Sequence, residues 1–274
     1  MPIEEQTNHH TDRFRGGASA YAAYLETPEG RLRSALAFAN VREFLPPVEP
    51  PLCLHALDIG SGTGKVTVCL ARLGVHVTLL DSSPEMLDLA DRAARETGVG
   101  DRIALREGDA RQVASLFPGV RFDVILCHNV LEFVDDPVAV LCGAAHLMSE
   151  TSVLSVMVRT QAGEVMKAAI RMGDLAGAER SLTAEWGCES LYGGTARLFT
   201  PAGLEVLLRQ AGLVAVTARG IRVIADYLPP AISFEAEYER IFELERKLGS
   251  RPEFLGVARY VQCLALRAAE PEPL

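Results

Sequence analysis

The run Ala56-Leu57-Asp58-Ile59 leads straight into Gly60-Ser61-Gly62-Thr63-Gly64. Glycine lets a backbone take positive φ and lets it approach a neighbour where a Cβ would collide. Beyond that turn, a second apolar run, residues 75–80, ends at Asp81. An apolar strand, a glycine turn, a helix and a second strand closing on an acid is a βαβ unit, and it commits the chain to an α/β fold with a parallel sheet.

The rest of the chain keeps that rhythm. Strands are expected at 54–59, 75–80, 103–106, 122–127, 152–158, 213–223 and 258–266, and helices at 64–73, 84–96, 137–148, 201–211 and 234–248. Ser83-Pro84 and Thr200-Pro201 supply the capping residue and first-turn proline of two of these helices. Together they predict a Rossmann-like, doubly wound, mainly parallel seven-stranded sheet whose last strand is antiparallel. Residues 1–16 are polar and expected to lack order. From Ser19 to Leu45, apolar residues recur at helical spacing with Pro28 at a helix start, and Pro46, Pro47, Pro50 and Pro51 form a linker. Between 160 and 198 the rhythm breaks around Trp186 and Tyr192, predicting an insertion over the site, with Trp186 in a lid or in the core. Four segments result: a helical cap at 1–50, a ligand-binding core at 51–160, a lid at 161–199, and the end of the same sheet with acceptor-side residues at 200–274.

At 274 residues and 49% apolar composition the chain can bury a core. Its formal charge of −9 runs against binding nucleic acid through phosphates. Six scattered cysteines without a C-x-x-C pair indicate neither a metal site nor a disulfide framework. The polar N-terminus and the lack of a long apolar run predict no membrane span and a cytoplasmic location.

The glycine spacing narrows the ligand. A dinucleotide fingerprint, G-x-G-x-x-G, requires glycine at 65, where this chain has Lys65. The G-x-G-x-G form, preceded by Asp58, points instead to S-adenosyl-L-methionine, which has no pyrophosphate. Gly60, Ser61, Gly62 and Gly64 then form the cradle, and Asp81 can accept hydrogen bonds from two ribose hydroxyls. Asp109 and Ala110 follow the third strand, where a loop acid can accept from the adenine amino group. His128 follows the fourth, at the crevice where open α/β sheets bind ligands, placed to orient cofactor or acceptor or to act as a general base.

With these motifs the chain resembles the class I S-adenosylmethionine-dependent methyltransferases over residues 54–160. A closer likeness runs nearly end to end, to the bacterial tRNA 5-carboxymethoxyuridine methyltransferase family. It rests on Glu29-Gly30-Arg31-Leu32-Arg33, on His128 with Val130-Leu131-Glu132, and on Gly220-Ile221-Arg222-Val223. It continues through Asp226-Tyr227-Leu228, Leu244-Glu245 and Ala258-Arg259-Tyr260. The resemblance implies that Arg33, Gly60, Ser61, Asp81, Ala110 and His128 surround the cofactor, with Arg33 suited to the methionine carboxylate. Residues 176–185 carry mixed charge in place of the lysine-rich run the resemblance leads one to expect. The expected reaction is therefore methyl transfer to a carboxylate or hydroxyl oxygen of a small molecule, leaving S-adenosyl-L-homocysteine. A tRNA wobble-uridine carboxylate is the alternative acceptor. An NAD-type oxidoreductase and a non-catalytic cofactor-binding protein are the alternatives of another class. His128, Arg222 and Tyr227 are the candidate catalytic residues, with Arg259 and Tyr260 as further groups to hold a carboxylate; no metal is expected.

Overall fold

The computed structural model describes residues 17–46, 48, 52–191 and 193–268. The expectations for residues 1–16, for Pro47, Pro50 and Pro51 and for Tyr192 lie outside the described residues. Nine strands are present among them: β1 (His55–Ile59), β2 (His76–Asp81), β3 (Ile103–Glu107), β4 (Phe122–His128), β5 (Met148–Arg159), β6 (Trp186–Cys188), β7 (Thr195–Arg197), β8 (Leu213–Ile221) and β9 (Tyr260–Arg267). Seven of them form one sheet in the order β3-β2-β1-β4-β5-β9-β8. Pairs among β1 to β5 are parallel, and β9 runs antiparallel to both its neighbours, as expected of the last strand. The strand order reverses between β1 and β4, so the crevice for a ligand opens at the carboxyl ends of these two strands.

Both faces of the central strands are covered, which explains why they read as apolar runs rather than alternations. Leu57, Ile59, Ile125, Cys127, Leu154, Val156 and Val158 enter the core on one face. Ala56, Val124, Leu126 and Val153 enter the core on the other, the two-residue period of a pleated strand.

The N-terminal helical run is two helices, α1 (Ala18–Glu26) and α2 (Pro28–Arg42), divided at Thr27. Thr27 Oγ1 accepts from the Gly30 N–H at 3.1 Å and Pro28 starts α2, a capped beginning that a continuous helix lacks. A Cβ on Gly30 would lie 2.1 Å from the Tyr24 carbonyl oxygen, so the close return of α2 past α1 depends on that glycine. Leu32, Leu36 and Ala37 of α2 pack with Met157, Ile221, Ile241 and Tyr260, fixing the helix against the C-terminal part of the sheet.

The helices that follow are α3 (Lys65–Arg72), α4 (Pro84–Glu96), α5 (Val113–Leu116), α6 (Pro137–His146), α7 (Gln161–Met166), α8 (Leu175–Ser181), α9 (Pro201–Gln210), α10 (Tyr238–Gly249) and α11 (Pro252–Leu255). The irregular stretch after β5 thus has structure of its own, in α7, α8 and the β6–β7 hairpin. The helix expected at 234–248 starts four residues later, after turns in which Ser233 accepts from the N–H groups of Ala236 and Glu237.

Candidate active site

The glycine turn has the backbone its sequence requires. Gly60, Gly62 and Gly64 have φ of +63°, +54° and +71°. A Cβ on Gly60 would meet Val130 Cγ2 at 2.4 Å, and one on Gly62 would meet the Tyr21 ring at 2.9 Å. Gly62 donates its N–H to Asp81 Oδ2 (2.8 Å), and Ser83 donates to Asp81 Oδ1 (2.9 Å). Each carboxylate oxygen of Asp81 is thereby aimed by a backbone donor and keeps a lone pair for a hydroxyl. Burial raises the pKa of Asp81, and the backbone hydrogen bonds oppose that rise.

The turn borders a cavity of about 250 Å³ at the β1–β4 crevice. Arg33, Gly60, Gly62, Asp81, Asp109, Ala110 and His128, all singled out in the sequence, line it together with Tyr260. Asp58, Ser61 and Arg33 line a smaller recess of about 40 Å³ that adjoins the glycine turn. Gly64 stands at the start of α3. Asp58 accepts from Thr67 Oγ1 at 2.5 Å; burial raises its pKa to about 7, the Thr67 hydrogen bond opposing and Asp81 adding to the rise. The Asp109 carboxylate is engaged by Arg111, whose Nε lies 3.0 Å from both of its oxygens.

Arg33 is 6% exposed and pairs with no carboxylate among the described residues. One terminal nitrogen donates to the Tyr21 hydroxyl at 2.8 Å, the other to Asn129 Oδ1 at 3.3 Å, and Nε is buried without a partner. The rings of Tyr21, Tyr24 and Tyr260 surround its guanidinium at 5.1–5.7 Å. Burial works against the charge, but these tyrosines hold its pKa well above the usual arginine value. A buried cation without an anion is a site for an anionic group.

His128 contacts Ser155 Oγ through Nε2 at 2.8 Å; burial, followed by the charge of Arg33, lowers its pKa to about 3. Asn129 beside it has φ +56° and donates through Nδ2 to Glu132 Oε1 at 2.8 Å, while the second oxygen of Glu132 is buried without a partner.

Tyr260 lines the same cavity beside Arg33. Arg33, Arg222 and Arg259 place their guanidinium carbons 5.7–5.9 Å from its ring centroid. Burial acts to raise its pKa, but Arg222, Arg33, Arg259 and Arg159 outweigh it and bring the phenol to about 8. Arg159 lines the cavity at the end of β5 and bonds Glu164 (2.5 Å), Glu189 (2.8 Å) and the Cys188 carbonyl (2.6 Å), tying α7 and the β6–β7 hairpin to the sheet. Arg259 Nη1 lies 2.6 Å from Glu164.

Arg222 and Tyr227 stand behind this wall rather than in it. Arg222, at φ +58°, pairs with Asp226 and donates to the Tyr24 hydroxyl at 2.7 Å. Glu245 accepts from the N–H groups of Val223, Ile224 and Ala225 and pins the turn that sets this orientation. The Tyr227 hydroxyl lies 3.5 Å from the Gly163 carbonyl. Trp186 is 47% exposed on the hairpin under Arg197, outside both the core and the cavity.

Sequence reasoning passed over Tyr21, Arg159 and Glu189, all in the cavity wall. Arg159 carried a usable signal: a charged residue closing an apolar strand, at the strand end where α/β folds bind ligands. Glu189 carried none, since its partner is thirty positions away.

Residues 57–156 match the methyltransferase domain family. The chain is 29% identical to the tRNA 5-carboxymethoxyuridine methyltransferase of Escherichia coli (strain K12), covering 87% of this chain and 89% of the relative. It is 31% identical to the ubiquinone biosynthesis O-methyltransferase of Xanthomonas euvesicatoria over 58% of this chain and 62% of that one. Among solved structures, magnesium protoporphyrin IX methyltransferase from Synechocystis with bound SAH aligns with a TM-score of 0.63 at 14% identity, over 96% of this chain and 100% of the other. No helix among the described residues is long and apolar enough to cross a membrane, and no cluster of metal-ligating side chains is present among them.

Proposed function

We propose that the chain, an S-adenosylmethionine-dependent methyltransferase with the class I fold, methylates a carboxylate oxygen to form a methyl ester. The observation that carries this reading is the pair of buried guanidiniums of Arg159 and Arg259, which share Glu164 beside Tyr260 at the cavity wall. Buried cations of this density suit an acceptor that enters ionised.

The residues fit the methyl donor. Asp81 holds the ribose hydroxyls, and the wall at Asp109 and Ala110 borders the adenine. The glycine turn permits close approach, and Arg33, which pairs with no carboxylate among the described residues, meets the carboxylate of the amino-acid end. S-adenosylmethionine supplies a methyl group on a sulfonium, so that an acceptor oxygen forms the new C–O bond as the C–S bond breaks and its electron pair returns to sulfur. The protein's task is to align the acceptor with that bond and to exclude water. Arg159 holds the acceptor carboxylate with Tyr260 packed beside it, and Arg259, outside the cavity lining, backs this wall through Glu164. Arg222 supports Tyr260 from behind, with Tyr24 and Asp226 fixing its guanidinium, and Tyr227 supports α7 through Gly163.

For the carrier of the carboxylate, the likeness to a tRNA 5-carboxymethoxyuridine methyltransferase over 87% of the chain favours a modified tRNA uridine. A small-molecule oxygen acceptor is the second reading, favoured by the charge of −9, by the mixed charge of residues 176–185 and by the likeness to ubiquinone O-methyltransferases. Six free cysteines support a reducing compartment, in keeping with a cytoplasmic location. The test is transfer of labelled methyl from S-adenosylmethionine to tRNA with and without 5-carboxymethoxyuridine. Label on the modified tRNA alone is expected; none on either, with a working relative as control, would overturn the tRNA acceptor.

A further inference from the structure

Beneath the cavity a chain of buried polar side chains crosses the sheet: His128 on β4, Ser155 on β5, Gln262 on β9 and Asn40 on α2. Ser155 and Gln262 are fully buried and Asn40 is 7% exposed. Two fixed points set the direction of these hydrogen bonds, the Ala37 carbonyl at one end and the hydroxyl hydrogen of Ser155 at the other. The Ala37 carbonyl oxygen can only accept, so the side-chain atom 3.1 Å from it is the Gln262 amide nitrogen. The same nitrogen lies 2.8 Å from Ser155 Oγ and donates its second hydrogen there, while Gln262 Oε1 accepts from Asn40 Nδ2 at 2.8 Å. Ser155 Oγ keeps a second lone pair, but among the described residues its own hydrogen has no acceptor other than His128 Nε2 at 2.8 Å, and it is donated there. That nitrogen must then offer a lone pair, and the ring hydrogen resides on Nδ1.

We infer that Gln262, acting through Ser155, holds His128 as the neutral Nδ1–H tautomer, so that His128 serves the cavity as a hydrogen-bond donor and not as a general base. Its one basic nitrogen is turned into the sheet and already occupied. The lowered pKa agrees with a ring that stays neutral. His128 orients an oxygen of cofactor or acceptor, and Gln262 is a positioning residue at a position that touches neither. The consequence for specificity rests on the carboxylate reading above: an acceptor already ionised needs no base, whereas a hydroxyl or amine would find none in His128.

The tautomer is read directly from 15N–1H correlation spectra of the imidazole rings, with His128→Asn assigning the signal. Hydrogen on Nδ1 and a bare Nε2 are expected. Gln262→Glu reverses the relay, because a carboxylate at 262 accepts from Ser155 and leaves its oxygen to accept from Nε2–H. Should that variant not fold, Ser155→Ala frees the ring and yields both tautomers. An Nε2–H signal in the unaltered protein, or an unchanged tautomer in a folded variant, overturns the inference. In the transfer assay His128→Ala lowers kcat/KM, and His128→Asn, which restores a donor without a base, recovers most of the loss. A loss of roughly 10²–10⁴-fold that asparagine does not recover is the mark of a general base and would also overturn it. The spectra need no acceptor, so failure of methyl transfer to tRNA with Nδ1–H intact would count against the acceptor assignment alone.

Discussion

Replacing Arg33 by methionine tests the amino-acid end of the cofactor site. Methionine keeps much of the length and apolar bulk that packs among Tyr21, Tyr24 and Tyr260 while removing the charge and the fork. Hydrogen bonds to charged groups are worth about 1.5–3 kcal/mol each. The guanidinium already donates to Tyr21 and Asn129, so binding a carboxylate exchanges contacts rather than adding them all. A net loss of about 3 kcal/mol follows, roughly a hundredfold in Kd. Calorimetry with S-adenosylhomocysteine measures it, and 5′-methylthioadenosine, which lacks the amino-acid end, is the control. The variant weakens the first ligand about a hundredfold and the second by less than about threefold. Arg33→Lys, which keeps a point charge without the planar fork, falls between, at about tenfold. An unchanged Kd for S-adenosylhomocysteine, or an equal loss for both ligands, would refute the assignment of Arg33 to the carboxylate.

Three other perturbations follow from the same geometry. Gly60→Ala, at φ +63° and with its Cβ 2.4 Å from Val130 Cγ2, lowers stability by about 1–3 kcal/mol and weakens cofactor binding. Denaturation midpoints and calorimetry report both, and an unaltered midpoint contradicts the strain. Asp58 has its folded pKa raised from 3.8 to about 7, so the stability it contributes is complete below pH 3.8 and is lost as pH rises through 7. Asp58→Asn, neutral throughout, therefore gains on the unaltered protein in melting temperature between pH 4 and pH 8; a difference that stays flat with pH rules the reasoning out. Glu189→Gln weakens the carboxylate partner that holds Arg159 inside the cavity. A neutral partner bonds about half as strongly, so KM for a carboxylate acceptor falls, about fivefold, and a rise in KM would show that Glu189 assists binding rather than competing with it.

The sheet and the glycine turn were legible because their signals are local. The apolar runs of β1, β4 and β5 follow from burial on both faces, and the spacing of Gly60, Gly62 and Gly64 before Asp81 follows from φ and close approach. Signals that depend on distant partners were hidden. Ser155 and Gln262 are 107 positions apart, and nothing in either neighbourhood announces that they meet under His128. Thr27 divided an otherwise continuous helical pattern because Gly30 lets the chain return past Tyr24. Arg222 reads as a residue at a strand end facing ligand, yet the turn pinned by Glu245 directs it to Tyr24 and Asp226. Trp186 reads as lid or core; it is not in the core but half exposed beneath Arg197, on the hairpin that borders the cavity.

The chemical nature of the product tests the central claim most directly. After transfer of labelled methyl to tRNA carrying 5-carboxymethoxyuridine, mild alkali should release the label as methanol, because the bond formed at the arginine-rich end of the cavity is an ester. Label that remains on the acceptor through alkali, as a methyl ether or methylated amine would, contradicts a carboxylate acceptor.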